Sequence, residues 1–513
     1  MSLWQHWRNG AVGALIAASL SLLTPLTALA SYGHGYTLDP NPAIGRDPAP
    51  VAYVFNRDIT LLNQLKNTWA PSMRNPSDLF LDSQGDLWIA DTDNNRILEL
   101  NPQDRLIRVI GQTEKNQPKT VASLNGPEGV FVTPTGTIYV ADSGNSRIAV
   151  FNKNGQFLRA FGRPATQLLR SDASYKPTKV LVDRRGYIYV INGGGDYRGI
   201  IEMDPNGIFR GFFGANHVQF SLTALFTRLF ATAQQKAQIA KVLPNSDTNF
   251  FLSSDGFIYT VSATAQIGQI KKLNSLGENV YRVTNVSSFF GLQHTSSAAF
   301  FGEKPRYPGD QMPQFVSIAV DNVGIISALD AASGKIYQYD QEGNLLDIFG
   351  GKSNSQDGYF DYPAALAVRA NGDIYVLDSS RKDIQVFRPT QFATLIHEAT
   401  ALYYDGKYSE SARLWQEVLR LDAHYGLAHQ QLGECYLHLG ELGGPPSDFV
   451  IAMHEERLAE NRNDYSAAFA QYRQVWANEH FTLLLGIIAG IVVISVFVLK
   501  SLGKLVEAVM NLG

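Results

Sequence analysis

Hydrophobic and polar residues alternate in short runs over the first three-quarters of the chain. The period then becomes helical, and the sequence closes on one unbroken apolar stretch. The alternating part repeats. Six times a run such as Leu79-Phe-Leu-Asp82 or Val180-Leu-Val-Asp183 leads to a glycine, at Gly85, Gly136, Gly186, Gly256, Gly324 and Gly372. A β-branched and aromatic pentapeptide follows, as in Asp86-Leu-Trp-Ile-Ala90, Thr137-Ile-Tyr-Val-Ala141 and Asp373-Ile-Tyr-Val-Leu377. It ends on Asp91, Asp142, Asn192, Ser262, Asp330 or Asp378, six residues past the glycine. Third strands such as Arg96-Ile-Leu-Glu-Leu100 and Arg147-Ile-Ala-Val-Phe151 come next, and fourth strands end near Ile110-Gly111, Phe161-Gly162, Phe213-Gly214 and Phe349-Gly350. Six such units predict an all-β, six-bladed propeller over residues 51–390. Each glycine is placed second in a two-residue hairpin loop, where positive φ is needed. Val51-Ala-Tyr-Val-Phe55 reads as a strand that completes the sixth blade and removes the ring's free edges.

The repeat spacings are 51, 50, 70, 68 and 48 residues, so the third and fourth gaps carry insertions. One of them, Ser221-Leu-Thr-Ala-Leu-Phe-Thr-Arg-Leu-Phe230, sets Leu222, Leu225, Phe226, Leu229 and Phe230 on one helical face. From residue 391 to 478 the helical period holds, and Gly406 and Gly440 lie 34 residues apart. Phe481–Leu499 carries no charge, and its nineteen residues span about 28 Å as a helix, close to a bilayer's hydrocarbon core. Residues 479–501 are therefore expected to cross a membrane. Lys500 and Lys504 follow, which predicts a cytoplasmic tail at 502–513 and the rest of the chain on the other side. At the other end, Trp7-Arg8-Asn9-Gly10, an apolar run and Ala28-Leu29-Ala30 read as a secretory leader over 1–30, followed by a Gly/Pro-rich linker over 31–50.

Composition narrows the function. With 43 basic and 47 acidic residues and a net charge of −4 there is no basic stripe, so nucleic acid is not an expected partner. The single cysteine, Cys435, excludes an intrachain disulfide and falls in a helical pattern.

Propeller sites sit where the innermost strands begin, at Asp78, Gly129, Lys179, Asn249, Ser317 and Ala365. Asp78, Glu128 and Asn249 are oxygen donors, whereas Lys179 would repel a cation and is expected to pair with Asp78. The propeller's histidines, His217 and His294, both lie in insertions, which speaks against zinc. Gly193-Gly-Gly-Asp-Tyr-Arg198 is either a long strained turn or a flexible loop whose Asp196, Tyr197 and Arg198 would hold a sugar or carboxylate. Asp91 and Asp142 are expected to cap turns and pair with Arg96 and Arg147, with Asp330 and Asp378 in the same architectural role. No catalytic constellation and no cofactor is read from these residues.

Asp142-Ser-Gly-Asn-Ser-Arg-Ile148 and Asp91-Thr-Asp-Asn-Asn-Arg-Ile97, with the terminal Phe-Gly pairs, resemble the NHL-repeat family of β-propellers. Leu432, Gly433 and Tyr436, with Tyr408, Trp415 and Val418, are similar to the tetratricopeptide pattern. Asn463–Phe469 is similar to another second helix, split from its first by Gly443-Gly-Pro-Pro446. The whole order, through Tyr472-Arg-Gln-Val-Trp476 into the membrane, resembles a bacterial family of exported propeller proteins. Its longer relatives continue into a multi-span Yip-type domain. That resemblance implies an extracytoplasmic binding or assembly protein beside envelope partners, either a carbohydrate ABC-type transporter or a Yip-type subunit, with a glycan as a further ligand. The alternative is a propeller hydrolase or lactonase with calcium at the channel mouth, held by Asp78, Glu128 and Asn249.

Overall fold

In the computed structural model, residues 35–38, 46–66, 68, 70–111, 118–169, 174–195, 199–214, 246–281, 285–289, 292–296, 300–306 and 309–510 are described. The expected leader, most of the linker, the helix at residues 221–230 and the last three tail residues lie outside them. The chain divides into two units with a boundary after Ala393.

The first unit is a six-bladed propeller. Blade 1 comprises strands Asp78–Leu81, Leu87–Asp91, Arg96–Leu100 and Leu106–Ile110; blade 2 comprises Pro127–Val132, Ile138–Asp142, Arg147–Phe151 and Phe157–Phe161. Blade 3 comprises Pro177–Val182, Ile188–Asn192, Ile200–Met203 and Phe209–Phe213. Blade 4 has three strands among the described residues, Asn249–Leu252, Ile258–Val261 and Ile270–Leu273. Blade 5 comprises Phe315–Val320, Ile326–Asp330, Lys335–Tyr339 and Leu345–Gly350, and Tyr36–Leu38 pairs with its outer strand. Blade 6 takes Pro363–Val368, Ile374–Asp378 and Asp383–Pro389 from one end of the domain and Tyr53–Ile59 from the other. That last pairing is antiparallel, with Ile384 opposite Ile59 and Pro389 opposite Tyr53, and it closes the ring.

Each blade is sandwiched between two others, so its middle strands are buried on both faces. This is why Ile138–Asp142 is buried throughout and reads as a continuous apolar run instead of an alternation. Between blades 1 and 2 the core packs Ile97 and Ile110 against Val130, Ile138 and Val140.

The hairpins differ from the expected two-residue loops. In blade 1, Asp82 N–H donates to Asp86 O and Gly85 N–H to Asp82 O, with Gly85 at φ +83°. The loop is three residues, a type I turn closed by a left-handed glycine. The Asp82 carboxylate decides this by accepting from the backbone of Gln84 and Asp86, at 2.8 and 2.9 Å.

The second unit is helical: α1 (Gln391–Tyr404), α2 (Tyr408–Leu421), α3 (Gly426–Glu441), α4 (Ser447–Leu458), α5 (Arg462–Glu479) and α6 (Phe481–Met510). Trp415 and Val418 of α2 are fully buried, as is Cys435 of α3, whose thiol is pushed up to about 12 by burial. Gly406 and Gly440 are not equivalent. Gly406 turns the chain between α1 and α2 at φ +74°, whereas Gly440 lies inside α3, where a Cβ would come within 2.7 Å of the Phe449 ring. The turn matching Gly406 is Gly443, at φ +96°. Gly443-Gly-Pro-Pro446 is thus a tight connection from α3 to α4, and Asn463–Phe469 belongs to the next helix, α5. Within α6, Phe481–Lys504 is a 24-residue apolar segment with none of its most apolar window buried, long enough to cross a bilayer.

Candidate functional site

The first strands of neighbouring blades pack against one another around the axis. The inner positions they carry are not an open mouth. Asp78 is 7 % exposed, Lys179 9 %, Asn249 6 % and Ser317 2 %, and Ala365 is fully buried. The Lys179 ammonium forms an ion pair with the Asp78 carboxylate and reaches Ser77 O at 3.2 Å, joining blade 3 to blade 1. The other Asp78 oxygen accepts from Val130 N–H of blade 2 at 2.9 Å. On the far side Asn249 donates to Val316 O at 3.2 Å, and the Ser317 hydroxyl accepts from Leu366 N–H at 3.0 Å. Those bonds tie blade 4 to blade 5 and blade 5 to blade 6. At Gly129 a Cβ would lie 2.6 Å from Thr178 O, so blades 2 and 3 meet backbone to backbone.

Glu128 is half-buried beside this ring. Burial raises its carboxyl, opposed by Ser143 and by the Lys179 and Lys176 ammonium groups. Asp78, Glu128 and Asn249 do not fit a divalent cation. An ammonium already occupies the charge-compensating place on Asp78, and Asn249 Oδ1 accepts from Phe250 N–H at 2.7 Å. Among the described residues no group of three or more His, Cys, Asp and Glu side chains is placed to hold a metal ion. Asp196, Tyr197 and Arg198 lie outside the described residues.

If the Asp78–Lys179 pair is an architectural clasp, Lys179→Met strands a buried carboxylate and is expected to cost ~3 kcal/mol. Adding Asp78→Leu should recover most of the loss, a pattern readable in urea denaturation.

A second tier of side chains, carboxylates in blades 1, 2, 5 and 6, binds each blade to the loop that enters it. Asp91 accepts from Arg74 N–H at 2.7 Å, from the Asn94 amide at 2.9 Å and from Arg96 Nε at 2.6 Å, with both Asp91 and Arg96 fully buried. Burial raises the Asp91 carboxyl, opposed by these donors. Asp142 repeats the arrangement with Asn125 N–H at 2.8 Å, Asn145 at 2.8 Å and Arg147 Nε at 2.7 Å. Asp330 uses Gln314 N–H and the Ser333 hydroxyl, at 2.7 and 2.6 Å. Asp378 is held by backbone N–H groups, with Asp361 at 2.7 Å and Arg381 at 3.0 Å. Asn192 keeps the position by accepting from Lys176 N–H at 2.7 Å and donating to Ser174 O at 3.1 Å, and Ser262 by donating to Ser246 O at 2.8 Å, so those blades change the residue type and keep the bond to the entering loop.

Two further sets of bonds were not singled out in the sequence. Thr92 and Ser143, directly after the aspartates, donate to Pro127 O and Pro177 O of the next blade at 2.9 and 2.5 Å. At the outer hairpins Asn152, Asp204, Asn274 and Asp340 each accept from backbone N–H groups two and four residues on. The signal is Asn/Asp-x-x-Gly, which recurs in step with the blades.

These clasps define a six-bladed propeller whose repeated carboxylates stitch the blades together. An NHL repeat family model matches residues 73–100 and 124–151, the segments that hold Asp91–Arg96 and Asp142–Arg147. The chain is 32 % identical over 107 residues to NHL repeat-containing protein 3 of Homo sapiens, covering 20 % of this chain and 30 % of that protein. It is 28 % identical over 156 residues to NHL repeat-containing protein 3 of Mus musculus, covering 30 % of this chain and 42 % of the relative. The chain thus spans less than half the length of these curated relatives. Among solved structures, a streptogramin B lyase aligns over 66 % of this chain and 98 % of its own, at 12 % identity and a TM-score of 0.40. The propeller thus carries NHL repeats, matched at residues 73–100 and 124–151.

Proposed function

We propose that this protein is a membrane-tethered binding platform, with the propeller as the recognition body and α6 as the anchor. The observation that carries this reading is the apolar segment Phe481–Lys504, unburied over its most apolar window, following an interaction-type propeller in one chain. The inner ring's side chains are engaged in joining blades, which directs recognition to the propeller's outer surface. The helices α1–α5 are a tetratricopeptide-like neck for protein contacts. Propeller and neck are extracytoplasmic, delivered by a leader over 1–30. The partners are envelope proteins, a carbohydrate ABC-type transporter or a Yip-type subunit, with a glycan as a further ligand.

Alkaline carbonate washing of native membranes tests the anchor. The full chain should stay with the membrane, and a chain ending at residue 480 should be released. Extraction of both alike overturns the reading. Cross-linking of propeller lysines in the same membranes, read by mass spectrometry, should then give a multi-span transporter or Yip-type neighbour. Cross-links confined to the protein itself would remove the assembly role.

A further inference from the structure

The strand that closes the ring, Tyr53–Ile59, is held in place by opposite electrostatics on its two faces. Adjacent residues of a strand point to opposite faces, and here they are Arg57 and Asp58. Arg57 meets attraction. It forms an ion pair with Asp104 of blade 1 and donates to the Tyr375 hydroxyl at 3.0 Å, and Arg369 reaches the same Asp104 at 3.3 Å. Asp58 meets a crowd of its own charge. Beside it lie Asp383, which opens the paired strand, and Asp357, from the loop between blades 5 and 6. A single cation, Arg381, serves all three carboxylates, with Asp383 at 3.0 Å, Asp357 at 3.3 Å and Asp58 only at 4.0 Å. Its remaining nitrogen is drawn to Gln356 O at 3.2 Å. Asp378 adds a further negative charge behind Asp383, whose Oδ1 is buried with no hydrogen-bond partner.

We infer that Tyr53–Ile59 is an acid-tightened latch, firm when Asp58 is protonated and loosened when Asp58 ionises among Asp357 and Asp383. One guanidinium offsets one of the three carboxylates, so when all three ionise two negative charges have no counter-ion among the described residues. Burial first, and then Asp383 and Asp357, raise the Asp58 carboxyl to about 6 against the pull of Arg381. The direction follows from that sign. A carboxyl raised in the folded state stabilises the closed strand fully at low pH, and this contribution is lost as the pH rises through about 6. The seam at which the two chain ends of the domain meet is therefore the place where ambient pH sets how readily the ring opens.

Amide hydrogen exchange on the detergent-solubilised full chain, corrected for the intrinsic pH dependence of exchange, reads the latch directly. Amides of residues 53–59 and 384–388 should be roughly three- to tenfold better protected at pH 5 than at pH 7.5. The ceiling set by a shift of that size is about a hundredfold, and partial exposure of Asp58 lowers it. Asp58→Asn should give the high protection at both pH values, and Asp357→Asn should lessen the difference. Residues 147–151 of blade 2 should show no such change. Equal protection of the wild-type strand at both pH values overturns the inference, as does an Asp58→Asn chain that keeps the wild-type pH dependence.

Discussion

Arg96→Met is expected to destabilise the propeller by about 3–5 kcal/mol, the usual cost of leaving one member of a buried ion pair without its partner. Arg96 is fully buried, and so is the Asp91 it serves. Its guanidinium also donates to Ala70 O at 2.9 Å and Ser72 O at 3.3 Å, so one side chain fixes both the strand end and the loop entering the blade. Lysine cannot reproduce this, since its single ammonium lacks the planar fork that reaches carboxylate and carbonyls together. Arg96→Lys should therefore fall close to Arg96→Met. The sister variant Arg147→Met should cost clearly less, because Arg147 is 18 % exposed and water can replace part of what it supplies to Asp142. Urea denaturation monitored through the β-sheet signal gives the ordering. Equal midpoints for Arg96→Met and the wild type would remove the carboxylate clasp as the reason for the repeat.

That repeat made most of the fold legible in advance. Blades packed between blades impose the same burial on every middle strand, so near-identical apolar pentapeptides had to recur, as Ile138–Asp142 and Ile374–Asp378 do. The aspartates that end them were legible as architecture for the same reason. The inner ring was less so. The Asp78–Lys179 pair was legible from their equivalent places in the repeat, but its burial was not, since the two come 101 residues apart and nothing local marks them as buried. The hairpin loops were misjudged by one residue because the deciding acceptor, Asp82, lies before the turn and not within it. In the helical unit, glycine served two purposes. The 34-residue spacing joined a turn glycine, Gly406, to a packing glycine, Gly440, although the true turn partner is Gly443.

The helical unit also hides an ionisable group that its sequence does not betray. His454-Glu-Glu-Arg457 does not tell which glutamate faces inward; Glu455 takes His429 of α3 at 2.6 Å, and Glu456 is turned into the packing. Glu456 is fully buried, and of the groups around its carboxyl only the Asn461 side chain eases that burial. It rests on Gly433 of α3, where a Cβ would come within 2.4 Å of it. Burial first, and then Asp464 and Glu434, push its carboxyl up to about 9. Because the folded value is raised, the stability it contributes is complete below the unfolded value of about 4.3 and falls as the pH climbs towards the folded one. Glu456→Gln should abolish that slope while keeping a polar group buried. Glu456→Met should also remove that group, stabilising the helical unit by about 1–3 kcal/mol at neutral pH and by more at alkaline pH. Gly433→Ala should act the other way, forcing α3 and α4 apart. Helical melting of the full chain in detergent at pH 5, 7 and 9 separates these effects. A wild-type transition that holds its temperature from pH 5 to 9 would mean that Glu456 finds a counter-charge or water in solution, and that α3 and α4 do not seal it.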